Sequence, residues 1–149
     1  MDKECKKQID EFNILWHCML FESNYRDIEA KYYNIQGLSN NEVSIIRIIS
    51  EKEEVIIRDI LAILNIPKST LTNIIDKLEN RNLISRAISK RDRRSYKLEL
   101  TEKGKMMQKE HIKFEEEVYG KIMFSLDTYE EREDLLNLMR KIVNNISCR

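Results

Sequence analysis

The chain has 149 residues, 42% hydrophobic and 35% charged, with three glycines and one proline. That is enough for one domain with a core, and too few backbone breakers for an all-β fold with many tight turns. Lys plus Arg and Asp plus Glu stand at 26 each, which excludes a general polycation. No uncharged apolar stretch of about 18 residues is present to span a membrane. Residues 1–7 are polar where a secretory signal would be apolar, and three cysteines without an export signal suit a reducing compartment, so a cytoplasmic protein is expected.

Residues 3–31 lack Gly and Pro and place Ile9, Phe12, Trp16, Met19 and Leu20 at helical spacing. One long helix is expected, too long to be covered by a globule of this size alone. Gly37 interrupts the pattern. Ser39 and Glu42 then have the spacing of a capping box, opening a helix with Val43, Ile46 and Ile49 inward. Residues 55–64 are apolar and fit either a buried strand or a short helix; Arg58-Asp59 disfavours the strand and Ala62-Ile63-Leu64 suits the helix. Asn65-Ile66-Pro67 reads as a tight helix-to-helix turn, since Asn tolerates the left-handed region and Pro suits a first helical turn.

The next helix, residues 67–81, has an apolar stripe of Leu71, Ile74, Ile75 and Leu78. Its other face carries Ser69, Thr72, Asn73, Asp76 and Lys77, small or amide side chains for the most part, where an ordinary solvated helix would alternate Glu and Lys. Asn82 is expected to end it in left-handed geometry. Residues 83–88 and 96–100 read as two short strands, the second alternating Tyr96, Leu98, Leu100 against Lys97, Glu99. Between them, residues 89–95 hold four cations without an apolar residue and are expected to project into solvent. Thr101 caps a helix to about residue 125, Asp127-Thr128-Tyr129-Glu130 resembles a second capping box, and Leu135, Leu138, Met139, Ile142, Val143 and Ile146 stripe the last helix.

Residues 66–101 hold nine Lys or Arg against four acids, a net +5 that the rest of this neutral chain balances at −5. A basic middle in an acidic body is the footprint of a nucleic-acid reader. Helix, tight turn, helix and a ribbon with a cationic tip form a winged helix-turn-helix. Its second helix offers base-edge contacts in the major groove, and the wing reaches phosphates or an adjacent minor groove. The expected fold is mainly α with a small β-hairpin wing. Residues 1–36 form an N-terminal dimerisation helix, 37–101 the winged domain and 102–149 the C-terminal dimerisation helices.

The string Asp92-Arg93-Arg94-Ser95-Tyr96-Lys97-Leu98-Glu99-Leu100-Thr101-Glu102-Lys103-Gly104 resembles the wing signature of the MarR family, D-x-R, five residues, L-T, then x-K-G. Lys68-Ser69-Thr70-Leu71-Thr72, Asp76-Lys77-Leu78-Glu79 and Asn82-Leu83-Ile84 are similar to its recognition helix and first wing strand. The resemblance implies a homodimer built from interlocked terminal helices on a palindromic site. It also implies a repressor released by a small aromatic or phenolic effector. Asn73 stands where the family often has arginine, Asn82 where it often has glycine, and Pro67 where it often has a polar cap.

DNA contacts are expected from Lys68, Ser69, Thr70, Thr72, Asn73 and Lys77 of the helix, and from Lys90, Arg91, Arg93 and Arg94 of the wing. Asp92 would be repelled by phosphates and is expected to brace the wing. One branch of the family senses peroxides through an N-terminal cysteine near tyrosines. Cys18 is offset from that position and is expected to be a buried structural thiol, with Cys5 preceding it and Cys148 inert at the C-terminal end. His17 and His111 have no metal-ligand spacing, so no cofactor or metal is expected. Trp16 and the tyrosines at helical spacing suit core or dimer interface. A winged module that binds protein instead of DNA is the competing class, opposed by the wing's four cations. No nucleophile–base pair or glycine-rich phosphate loop suggests an enzyme.

Overall fold

The computed structural model describes residues 2–91 and 95–147, the side chains of Tyr33 and Ser147 apart. The described elements are α1 (Lys3–Glu22), α2 (Tyr25–Lys31), a 3-10 turn (Tyr33–Ile35), α3 (Asn40–Glu51), β1 (Val55–Ile56), α4 (Ile57–Leu64), α5 (Lys68–Asn80), β2 (Ile84–Ile88), β3 (Tyr96–Leu100), α6 (Glu102–Met123) and α7 (Tyr129–Ser147). The chain divides into two compact units, residues 29–113 and residues 1–28 with 114–149. Among the described residues no helix is long and apolar enough to cross a membrane.

Unit 29–113 has its core where α3, α4 and α5 turn their apolar stripes inward. Ile45, Ile46, Ile49, Ile60, Leu71, Ile75 and Leu78 are buried, and Val55, Ile56, Leu83, Ile84, Leu98 and Met107 complete the core. Truncating one such side chain to Ala typically costs about 2–5 kcal/mol. Ser39 caps α3 as expected: Glu42 N–H donates to its Oγ at 3.4 Å, and Glu42 Oε2 accepts from Ser39 N–H at 2.7 Å. Gly37 (φ 70), Asn65 (φ 48) and Asn82 (φ 57) all take left-handed backbone, the two asparagines where helices end.

The segment left open between strand and helix is both. Val55 and Ile56 form a two-residue strand against Leu98 and Lys97, and α4 starts at Ile57. The hairpin is therefore part of a three-stranded antiparallel sheet ordered β1-β3-β2. In β2–β3 the register pairs Ile84 with Leu100, Arg86 with Leu98 and Ile88 with Tyr96.

In unit 1–28 with 114–149, the expected single helix over residues 3–31 breaks after Glu22. Ser23 Oγ–H donates to Leu20 O at 2.9 Å and Asn24 turns left-handed at φ 54. A Ser-Asn pair thus ends a helix that contains no Gly or Pro. The second capping box lies one residue further on than expected. Thr128 is the cap, with Glu131 N–H donating to its Oγ1 at 3.1 Å and Glu131 Oε2 accepting from Thr128 N–H at 3.1 Å. Tyr25 packs edge-on against Phe114, ring centroids 5.2 Å apart.

No residue of α1 is buried. Phe12 and Trp16 stack on each other at 5.8 Å, 63% and 46% exposed, and Leu138, Met139, Ile142, Val143 and Ile146 of α7 are exposed as well. Cys18 is exposed too, contrary to the expected buried thiol. It shares a helix whose apolar stripe stands exposed among the described residues.

Candidate nucleic-acid interface

α4 closes with Asn65, whose N–H donates to Leu61 O at 3.0 Å, and the chain turns through Ile66 to Pro67, the N-cap of α5. Pro67 has no side chain able to cap, and it makes no side-chain hydrogen bond to the first amides of α5. The N–H groups of Lys68, Ser69 and Thr70 point out of the helix end without an intrahelical acceptor. Leu71, Ile75 and Leu78 are buried and hold the helix down, leaving Lys68, Ser69, Thr70 and Asn73 exposed on its outer side. Thr72 is only half-exposed, and its hydroxyl donates back to Lys68 O at 2.9 Å.

The C-terminal half of the same helix is engaged internally. Arg86 of β2 pairs with Asp76 and, at 3.5 Å, with Glu79. Lys77 Nζ stands 3.0 Å from Oε1 of Glu42, an ion pair. Burial pushes the Glu42 carboxyl up, but the Ser39 N–H, the Ser39 hydroxyl and Lys77 together hold it below the usual carboxylate range. Arg81 donates to Gln36 O and Gly37 O, each at 3.3 Å, and ties the helix end to the turn that precedes α3. α5 is pinned at its C-terminal end and open at its N-terminal end.

The sheet brings the wing beside this helix. Lys90 is exposed; Arg91 is exposed as well, yet its Nη2 donates to both oxygens of Asp59, at 2.7 and 2.9 Å. Asp92, Arg93 and Arg94, the expected brace and two of the expected contacts, lie outside the described residues. Of the ten expected contact residues, the structure groups Lys68, Ser69, Thr70 and Asn73 at one helix end, places Lys90 on the wing, and commits Lys77 and Arg91 to carboxylates of their own chain. Sequence reasoning did not find those partners. Glu42 was visible only as a cap, and Asp59 only as an obstacle to a strand.

The L-T-x-K-G stretch also gains a physical role. Thr101 Oγ1 donates to Asn82 O at 2.7 Å and accepts the Gly104 N–H at 3.1 Å, while Lys103 Nζ donates to Arg81 O at 3.0 Å. A Cβ on Gly104 would stand 2.0 Å from Leu83 O. The motif clasps the first turn of α6 to the turn that joins α5 to the wing, and only glycine fits where the two backbones meet.

The family model described as MarR family matches residues 38–96. A curated relative from Bacillus subtilis (strain 168), the uncharacterized HTH-type transcriptional regulator YpoP, is 33% identical over 106 residues, covering 70% of this chain and 74% of that protein. The chain belongs to the MarR family. It is a transcriptional regulator of the MarR type, with that family's winged-helix fold. Among solved structures, the YusO protein of Bacillus subtilis matches with a TM-score of 0.68 at 18% identity, covering 97% of this chain and 99% of YusO. A mutant of S. aureus MepR bound to an oligodeoxyribonucleotide matches with a TM-score of 0.59 at 17% identity, covering 93% of this chain and 97% of MepR. MarR-type relatives are regulators, and among the described residues no group of three or more His, Cys, Asp or Glu is arranged to hold a metal ion.

Proposed function

We propose that this MarR-type regulator is a homodimeric, sequence-specific DNA-binding repressor that reads a palindromic site and is released by a small effector. The observation that carries the DNA reading is the asymmetry of α5, with Lys68, Ser69, Thr70 and Asn73 exposed beside uncapped amides at one end and internal ion pairs at the other. An uncapped helix N-terminus with a lysine suits a phosphate, and an asparagine amide can take both N6 and N7 of adenine. Lys90, Arg93 and Arg94 act from the wing on phosphates or the minor groove, with Asp92 bracing it. A relative of the same fold, S. aureus MepR, has been solved with an oligodeoxyribonucleotide, which supports the same use of this fold.

Dimerisation is supported by the uncovered apolar faces of α1 and α7, since contiguous exposed apolar surface marks interfaces. For the effector, Leu20, Phe21 and Tyr25 line an open cleft in their unit with His17, Asn24, Arg26 and Asp27, a lining suited to an aromatic or phenolic acid.

The test is footprinting on DNA upstream of the protein's own gene. The expected result is a two-fold symmetric protected region with half-sites about 10 base pairs apart; protection indifferent to sequence would overturn the reading.

A further inference from the structure

The wing root sits on two carboxylates. Ser89, fully buried, donates its hydroxyl to Glu54 Oε1, and the Arg91 N–H donates to the same oxygen at 3.1 Å. The Arg91 side chain grips Asp59 with its Nη2, and Asp59 Oδ2 also accepts the Ile56 N–H at 3.0 Å. Glu54 immediately precedes β1 and Asp59 lies in the first turn of α4. The hairpin is thereby fastened to the corner from which the first helix of the helix-turn-helix starts. The Ser89 hydroxyl and the Arg91 N–H hold Glu54 below the usual carboxylate range. Asp59 is also held low, burial opposing and the Ile56 N–H and Arg91 prevailing. Both stay ionised at neutral pH, with Lys97 facing Glu54 and Lys52 facing Asp59.

We infer that Glu54 and Asp59 are the anchor of the wing, and that Arg91 is a positioning residue held by that anchor, not a phosphate contact. The inference rests on the DNA reading above. Its physical ground is geometry: Nη2 of Arg91 donates to both oxygens of a half-buried carboxylate, a charge-assisted contact that commits it there. Releasing it for a solvated phosphate would leave Asp59 without its hydrogen-bonded charge partner. Anchored, the wing keeps one orientation relative to α5, and Arg93 and Arg94 follow from it in sequence.

The test pairs DNA titration over a salt series with amide hydrogen exchange of the free protein. Each phosphate contact contributes about 0.9 to the slope of log K against log salt. Arg91→Ala is expected to keep the wild-type slope while weakening the specific site about tenfold and leaving non-specific DNA unchanged. Arg91→Lys, which keeps the charge on a single nitrogen, is expected to keep the wild-type slope as well. A slope reduced by about 0.9 in Arg91→Ala and restored in Arg91→Lys would overturn the inference.

In free protein, Glu54→Ala and Asp59→Asn are expected to speed exchange at the Ser89 and Arg91 amides about tenfold. Unchanged exchange in both would overturn the anchor. If the wild type fails to distinguish its site from scrambled DNA, the DNA reading falls, and the exchange measurement still decides the anchor.

Discussion

At Gly104 the backbone of α6 passes so close to Leu83 that a methyl group has no place to go. Gly104→Ala must displace a carbonyl, not a flexible side chain, so a loss of about 1–3 kcal/mol is expected. Urea unfolding measures it, and an unchanged midpoint would show that the clasp yields. Glu42 makes a pH-dependent contribution. Its folded carboxyl is held below its ordinary value of 4.5, so its stabilisation is present above that value and is lost as pH falls through the lower folded value. The urea midpoint of the wild type is expected to fall more steeply between about pH 5 and pH 3 than that of Glu42→Gln. Parallel curves would remove Glu42 from the account. Lys77 belongs with Glu42, and Lys77→Ala should lower stability by leaving a buried carboxylate short of its counter-charge.

Among the elements, α5 and the wing carry the proposed function, and much of both could be read locally. The spacing of Leu71, Ile75 and Leu78, the left-handed asparagines 65 and 82, the Ser39 cap and the alternation of β3 all arise from neighbours within one or two turns of chain. What escaped was non-local. Arg91 meets Asp59 across 32 residues and Ser89 meets Glu54 across 35, so the Arg91 charge looked available to DNA when read in sequence. β1 escaped because two residues are too few for a period. The break after α1 escaped because Ser23 and Asn24 do what Gly usually does. For α5, Asn73→Ala is expected to weaken specific binding by about 1–3 kcal/mol and relax the preference at one base pair per half-site. Gel-shift titration against single-base variants of the site would show it, and a uniform loss on every sequence would make Asn73 a backbone contact instead.

On the scale of the whole molecule, the exposed apolar stripes of α1 and α7 are the ground for the proposed dimer. Ile142 and Val143 are 53% and 58% exposed, more than a chain that functions alone would leave in a continuous helical row. Sedimentation equilibrium is expected to give twice the chain mass for the wild type and a lighter, concentration-dependent species for Ile142→Glu. A concentration-independent single-chain mass for the wild type would contradict the dimer. Two chains would present two copies of α5, and that pairing is what turns a modest contact set into recognition of a symmetric site.

The most direct measurement of the central claim is a titration of the purified protein against its own upstream DNA and a scrambled duplex at several salt concentrations. The account expects a saturable complex with the upstream DNA that outcompetes the scrambled duplex and weakens steeply as salt rises, with Lys68→Ala and Arg93→Ala/Arg94→Ala each lowering the slope. Equal affinity for both duplexes, or a slope that these substitutions leave unchanged, would contradict it.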